Sequence, residues 1–138
     1  MVTRREPKWL ARKYVEAMHD TQLEQHGGLQ GLRDAGALES ALGRPMHRWH
    51  YGEAKDLADC AASCGFGLAR NLPFVDGNKR TAFVAMATFY TWNGGELLAD
   101  EAEMVHIMVG VAEGSVPEKA LAAWLRTNTP KPKRKRAR

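Results

Sequence analysis

Residues 71–81 are Asn-Leu-Pro-Phe-Val-Asp-Gly-Asn-Lys-Arg-Thr, and this stretch joins the two segments with the clearest helical periodicity. Residues 55–71, before it, repeat apolar side chains at helical spacing until Pro73 ends the helix. Residues 77–93, after it, predict a second helix, whose positions 81–92 carry no charged side chain. Because a helix that is apolar on every side must be covered by other elements, we expect this second helix to be the central one.

The remaining sequence predicts four more helices. The first runs from Pro7 to the glycine pair 27–28, and a short one ends before Pro45, because the residue preceding a proline disfavours the helical conformation. The last two begin at sequences with capping-box spacing, in which a glutamate follows the capping residue by three positions. These pairs are Asp100 with Glu103 and Ser115 with Glu118.

Two segments lack helical periodicity. Residues 27–34 are rich in glycine and predict an ordered loop, whereas residues 46–54 predict a loop or an extended flap. We therefore expect an all-α fold, a compact bundle of about six helices around a central apolar helix, with a short flap.

The composition fits one folded domain followed by a basic tail. The chain has 138 residues, of which 44% are hydrophobic and 26% are charged, and a chain of this kind can build a single core. Six positive charges lie in residues 131–138, so the net charge of +4 becomes −2 without them. We predict a domain over residues 1–128 and a disordered basic tail over residues 129–138. We do not expect nucleic acid as a partner, except through that tail.

The sequence gives no sign of a membrane or secreted protein. No apolar run approaches the roughly 20 residues that a membrane-spanning helix needs. The first residues lack the apolar stretch of a secretory signal. We therefore expect a cytoplasmic protein.

Several conspicuous side chains favour structural roles. Cys60 and Cys64 lie four residues apart on a predicted helix and are expected in the core rather than in a metal site. Three tryptophans fall on apolar helix faces and are predicted core residues: Trp9, Trp92 and Trp124. Trp49, in the predicted flap, could anchor a partner. His19, near the end of the first helix, is expected to make local hydrogen bonds.

The second half of the opening stretch has the residues of an anion site. A helix N-terminus offers unpaired backbone N–H groups, and Gly77 lets a ligand approach the backbone closely. Lys79 and Arg80 add positive charge, and Asp76 could hold a divalent cation, which together suit a magnesium-bound polyphosphate. The alternative is that Asp76 merely caps the helix and the two cations are solvated. Two cations in a first turn oppose the helix dipole, so this arrangement costs stability unless an anion binds.

The same stretch resembles the signature of the Fic/Doc family, whose pattern is His-x-Phe-x-Asp/Glu-Gly/Ala-Asn-Lys/Gly-Arg. The matching residues are Phe74, Asp76, Gly77, Asn78, Lys79 and Arg80. Lysine rather than glycine at position 79 is similar to the Doc, or death-on-curing, branch. The resemblance extends over about residues 14–126, including the glycine-rich stretch 27–34.

The resemblance implies ATP and Mg²⁺ as cofactors. By position, Asp76 would hold Mg²⁺. The backbone around Gly77, with the backbone and side chain of Asn78, would cradle the phosphates, and Lys79 and Arg80 would bind and stabilise them. Arg70, one turn before the loop, could also reach the nucleotide. The predicted nucleotide-binding residues are therefore Arg70, Gly77, Asn78, Lys79 and Arg80.

The resemblance also implies an activity. Doc proteins are toxins of bacterial toxin–antitoxin modules that transfer the γ-phosphate of ATP to elongation factor Tu, and their partners are Phd-type antitoxins. Fic relatives instead transfer AMP to a protein hydroxyl. In the family the motif histidine is the general base, but this chain has Leu72 there. Since general-base catalysis contributes roughly 10²–10⁴-fold, we expect an impaired toxin. None of the five histidines replaces that base by sequence position. The alternative is a silent binding module with the same fold.

Overall fold

The computed structural model describes residues 5–130, so most of the predicted basic tail lies outside the described residues. This part of the chain forms six α-helices, which confirms the predicted all-α fold. They are α1 (Arg12–His26), α2 (Ala35–His50), α3 (Leu57–Asn71), α4 (Asn78–Trp92), α5 (Glu101–Glu113) and α6 (Glu118–Thr127). Among the described residues, none of these helices has the length and apolar character needed to cross a membrane.

The most enclosed helix is α3, which packs against α2, α4, α5 and α6. Ten of its 15 residues are buried, and most of them are small, so neighbouring helices can approach closely on several sides. A Cβ added at Gly67, for example, would lie only 3.2 Å from the Cα of Ala41 on α2. The prediction that α4 is the central helix is therefore wrong. Trp92 at its C-terminal end is 48% exposed rather than a core residue.

The helix α2 continues through Pro45 to His50, contrary to the prediction that it ends before the proline. A proline inside a helix costs about 3 kcal/mol or more, but this proline is buried. In addition, Arg44 and Arg48 on either side of it form ion pairs with Glu118 on α6. Tertiary packing thus holds a helical segment where the sequence predicted a flap.

The region that remains non-helical here is short. Only residues 51–56 separate α2 from α3, so the predicted flap over residues 46–54 is wrong for its first half. Trp49 lies on α2, half-buried, with its ring edge against Trp9 at a centroid distance of 6.5 Å. It is therefore part of the packed structure and not an exposed anchor.

The N-terminal segment before α1 is extended. The first helix begins at Arg12 and not at Pro7, and Trp9 in the preceding segment stacks on Phe89 of α4 at 5.8 Å. The side chain of Asn93, which follows α4, exchanges two hydrogen bonds with the backbone of Lys8. Lys8 and Trp9 are thus held against α4 and the residue that follows it, although they are not part of a helix.

Of the two predicted capping boxes, one is confirmed. Asp100 caps α5 by accepting a hydrogen bond of 2.7 Å from the backbone N–H of Glu103. Ser115 does not cap α6, whose N-cap is Pro117, and its hydroxyl donates instead to the carbonyl of Gly110. The second box fails because the carboxylate of Glu118 binds the two arginines of α2.

The two cysteines are confirmed as core residues. Cys60 and Cys64 are buried free thiols on α3. Burial raises the pKa of Cys64 to about 12, so this thiol stays protonated and unreactive at neutral pH.

Candidate phosphate-binding site

The site lies in the loop between α3 and α4. The helix α3 ends at Asn71, and its C-cap residue Leu72 has a left-handed backbone (φ 50°, ψ 56°). It is the one non-glycine residue with positive φ in the described part of the chain. The guanidinium of Arg33 donates to the carbonyls of Leu72 (2.6 Å) and Asn71 (2.8 Å), which satisfies groups that a helix end leaves unpaired. The Leu72 side chain is exposed at the mouth of the loop.

The first residue of α4 shapes the loop. The side-chain oxygen of Asn78 accepts from the backbone N–H of Phe74, and its amide donates to the Phe74 carbonyl, both at 2.9 Å. The Phe74 ring is buried and stacks on His19 at 3.8 Å. The side chain of Asn78 thus closes the loop, which leaves its backbone N–H and second amide proton for a ligand.

The glycine-rich segment 27–34 forms one side of the site, as an ordered loop. The backbone N–H of Leu29 donates to Oδ2 of Asp76 (3.0 Å), and the N–H of Val75 donates to the carbonyl of Gly31 (3.0 Å). Gly28 permits this contact, since a Cβ there would lie 2.9 Å from the same carboxylate oxygen. The two loops are therefore held together by hydrogen bonds from backbone N–H groups, one to a carboxylate and one to a carbonyl.

The carboxylate of Asp76 is exposed and oriented. Its two oxygens accept hydrogen bonds from the backbone N–H groups of Leu29 and Gly77, and these bonds lower the pKa of Asp76 below its ordinary value. It does not cap α4, whose N-cap is Gly77 without a side-chain cap, so the predicted alternative that Asp76 caps the helix is wrong.

The donor set at Asp76 fits Mg²⁺ bound together with a polyphosphate. Each carboxylate oxygen accepts one N–H and retains acceptor capacity for a cation. The described residues contain no cluster of three potential metal-binding side chains. A cation at Asp76 would therefore take most of its ligands from phosphate oxygens and water, which is how Mg²⁺ is commonly held at phosphate-binding sites.

A cavity of about 450 Å³ brings the signature residues together. Its walls include Leu72, Asp76, Gly77, Asn78, Lys79 and Arg80, with His26 from the end of α1 and Ala112 from α5. Lys79 is exposed and makes no hydrogen bond or ion pair within residues 5–130. Arg70 does not line the cavity, and its guanidinium donates to the carbonyl of Ala112 at 3.4 Å.

An apolar groove adjoins this cavity. It has a volume of about 380 Å³, lies between α1, α4 and α5, and shares Gln22, His26, Lys79 and Arg80 with the polar cavity. Its apolar lining consists of Phe83, Val84, Met104, Val105, Met108 and Val109. A polar and an apolar compartment thus meet at the first turn of α4.

Two histidines belong to the site although the sequence did not predict it. His19 is buried, and its Nε2 lies 2.8 Å from the backbone carbonyl of Asp76, so the expected local hydrogen bonding is wrong. His26 lines the cavity opposite the signature loop. The fold brings both to the site from α1. The one sequence signal was that His19 stands in a stretch sharing the family resemblance.

The chain belongs to the Fic/Doc family, since the model of the Fic/DOC family matches residues 9–90. It is 36% identical over 110 residues to the protein named Protein kinase doc of Escherichia phage P1, covering 80% of this chain and 86% of that protein. It is also 45% identical over 75 residues to Toxin Doc of Mycolicibacterium smegmatis, covering 54% of this chain and 58% of that protein.

Proposed function

We propose that this chain is a toxin of a bacterial toxin–antitoxin module that transfers the γ-phosphate of ATP to a hydroxyl group of a translation factor. The names of the two relatives support this activity class. The observation that carries it is the cavity in which Asp76, Lys79 and Arg80 face one volume at the start of α4. Elongation factor Tu is the proposed target, by family resemblance, and both it and ATP would be met in the cytoplasm.

The two joined compartments suit the two ends of ATP. The phosphates would lie in the polar cavity, where Arg80 can make charge-assisted hydrogen bonds and Lys79 can add a compact charge. The purine would pack in the apolar groove beside Phe83 and Met104. Because Gln22 lines both compartments, its amide is available to the nucleotide between them.

Asp76 is the residue that would hold Mg²⁺. Bound magnesium neutralises charge on the phosphates during transfer. Asp76 itself is prepared for this role, because the N–H groups of Leu29 and Gly77 keep the carboxylate ionised and fix its direction. Arg80 would stabilise the charge that develops on the transferred phosphate.

Two alternatives rest on particular residues. AMP transfer would follow the Fic branch, but Lys79 occupies the position where that branch has glycine. Lysine there resembles the Doc branch, in which the γ-phosphate is transferred. A silent binding module is favoured by Leu72, which cannot accept a proton. The intact phosphate-binding residues instead favour a toxin that recently lost its base.

The backbone at position 72 also favours histidine as the earlier residue. A left-handed conformation is unfavourable for leucine, whereas histidine is among the residues enriched there. Such a side chain would stand at the cavity mouth, where it could take a proton from a target hydroxyl.

The substitution Leu72→His tests the proposal. We expect it to raise transfer from γ-labelled Mg-ATP to purified elongation factor Tu by roughly 10²–10⁴-fold, because it supplies a general base at the signature position. Leu72→Asn is the matched control, since asparagine tolerates the same backbone but is not a base. Label from the α-phosphate would mean AMP transfer. No label with a folded Leu72→His protein would favour the silent module.

The proposed protein partner is an antitoxin of the Phd type. Because we expect Leu72 to impair the toxin, the Leu72→His protein allows the pairing with an antitoxin to be tested in cells. Induction of the Leu72→His protein should arrest growth, and coexpression of the antitoxin encoded beside the toxin gene should relieve the arrest. Growth arrest that such an antitoxin does not relieve would contradict this pairing.

A further inference from the structure

His26 is the imidazole that the fold places in the phosphate cavity. It is the last residue of α1 and is exposed, so both solvent and a target side chain can reach it. It lines the same cavity as Leu72 and Asp76, although it lies 46 positions before Leu72 in the chain. The cavity therefore contains a titratable base even though the signature position does not.

The partner of His26 shows which nitrogen is available. Nη1 of Arg80 lies 3.4 Å from Nε2 of His26. A guanidinium has no acceptor, so a hydrogen bond between these two atoms requires Arg80 as the donor and the tautomer of His26 that has a lone pair on Nε2. A bound phosphate would attract Arg80 more strongly than this long contact does, because charge-assisted hydrogen bonds are shorter and stronger. Phosphate binding would thus free the lone pair of Nε2 beside the nucleotide.

The other histidines of the chain do not have this placement. Nε2 of His19 is engaged by the carbonyl of Asp76, and the ring is buried beneath the loop. His50 binds Glu6 at 2.7 Å, and neither His50 nor His47 on the same helix lines the cavity or the groove. His106 is exposed on α5 and lines neither compartment.

We propose that His26 is the general base of this chain and gives it a residual phosphotransferase activity, an inference that rests on the proposed function. The hydroxyl oxygen of the target forms a bond to the γ-phosphorus of ATP, and its proton passes to Nε2 of His26. The bond from the γ-phosphorus to the β–γ bridging oxygen breaks, and its electron pair leaves with ADP. The proton is released to solvent afterwards.

Several charged groups lie around His26. Arg80 and Lys79 approach from α4, Glu101 from α5 lies 3.9 Å from Arg80, and Asp76 faces the same cavity from the loop. Bound ATP would offset the two cations.

The experiment compares variants of the full chain in transfer from γ-labelled Mg-ATP to purified elongation factor Tu. We expect His26→Gln to lower the rate of the unmutated chain by about 10²-fold, while Mg-ATP affinity is retained. His106→Gln, the same change on an exposed residue outside the cavity, should have no effect. His26→Ala should regain activity when free imidazole is added, which a merely structural residue would not do.

Three outcomes overturn the inference. One is a His26→Gln protein as active as the unmutated chain. A second is an inactive unmutated chain beside an active Leu72→His protein, which rejects His26 as a base and leaves the proposed function standing. The third is inactivity of both proteins when folded, which rejects the proposed function as well.

Discussion

At the scale of single residues, Leu72 combines a strained backbone with a side chain that contributes little to the core. A left-handed conformation costs an L-residue about 1–2 kcal/mol, whereas glycine adopts it freely. Leu72→Gly should therefore raise the free energy of unfolding by about 1 kcal/mol in urea denaturation. Leu72→Ala removes the same exposed side chain without relieving the strain and should not stabilise. Equal effects of the two substitutions would contradict the strained conformation.

Arg80 and Arg70 allow a matched test of the phosphate cavity. Both are exposed arginines close to the signature loop, but only Arg80 lines the cavity, while Arg70 donates to the carbonyl of Ala112. Arg80→Ala should weaken Mg-ATP binding by about 1.5–3 kcal/mol, the contribution of a hydrogen bond to a charged group. Arg70→Ala should have a clearly smaller effect in the same calorimetric titration. If both weaken binding equally, Arg70 belongs to the nucleotide site as the family resemblance implied.

At the scale of helices, Asp56 links the start of α3 to α6. Its carboxylate accepts from the N–H of Asp59 and from Arg126 at 2.9 and 3.0 Å. Burial acts to raise the pKa of Asp56, but the bonds from Arg126 and Asp59 outweigh it, so the folded-state pKa is lowered. Its contribution to stability is thus present above the unfolded-state value of about 3.9 and is lost as pH falls through the lower folded-state value.

This linkage predicts how Asp56→Asn behaves with pH. The variant should melt at a lower temperature than the unmutated chain at pH 7, and the difference should narrow below about pH 4. Asp20→Asn is the control, because Asp20 is an exposed carboxylate on α1 that makes no hydrogen bond in the described part of the chain. Its difference from the unmutated chain should be small at every pH. A constant difference for Asp56→Asn down to pH 2 would reject the lowered pKa.

Local signals predicted most helices but failed where distant contacts decide the structure. The Asp100 cap depends on a residue three positions away, so its sequence pattern was sufficient. Pro45 stays helical because of burial and two ion pairs to α6, which no local pattern reveals. The signature predicted that Asp76 and Arg80 share a site. His26 joins them only through the packing of α1 on α4, so sequence position could not identify it.

At the scale of the whole molecule, the end of the described chain is attached to the core. Tyr90 is buried, with 5% of its surface exposed, and its hydroxyl forms a hydrogen bond of 2.6 Å with Oγ1 of Thr129. The Thr129 hydroxyl in turn donates to the carbonyl of Leu125. Truncation after Pro130 should leave the melting temperature unchanged. Truncation after Asn128 should cost about 1–3 kcal/mol, because it leaves the Tyr90 hydroxyl unpaired.

The two truncations make a controlled pair, since both remove all six positive charges of residues 131–138. Thermal melting at constant ionic strength separates the charge effect from the lost hydrogen bonds. Equal destabilisation of both proteins would mean that residues 131–138 contribute to stability. Loss of Mg-ATP binding in the shorter protein alone would indicate that its fold is disturbed.

Hydrogen bonds join the glycine-rich segment 27–34 to the loop between α3 and α4. They make hydrogen–deuterium exchange of the backbone amides a reporter of the site. The bonds from Leu29 to Asp76 and from Arg33 to Leu72 join residues that are 47 and 39 positions apart in the chain. They therefore form only when α1, α3 and α4 have assembled. The amides of Leu29 and Val75 belong to exposed residues, yet each is bonded across the loops and can exchange with deuterium only when they separate. Their exchange should slow together when a nucleotide occupies the cavity, which would allow ligands to be ranked even for a chain with little turnover.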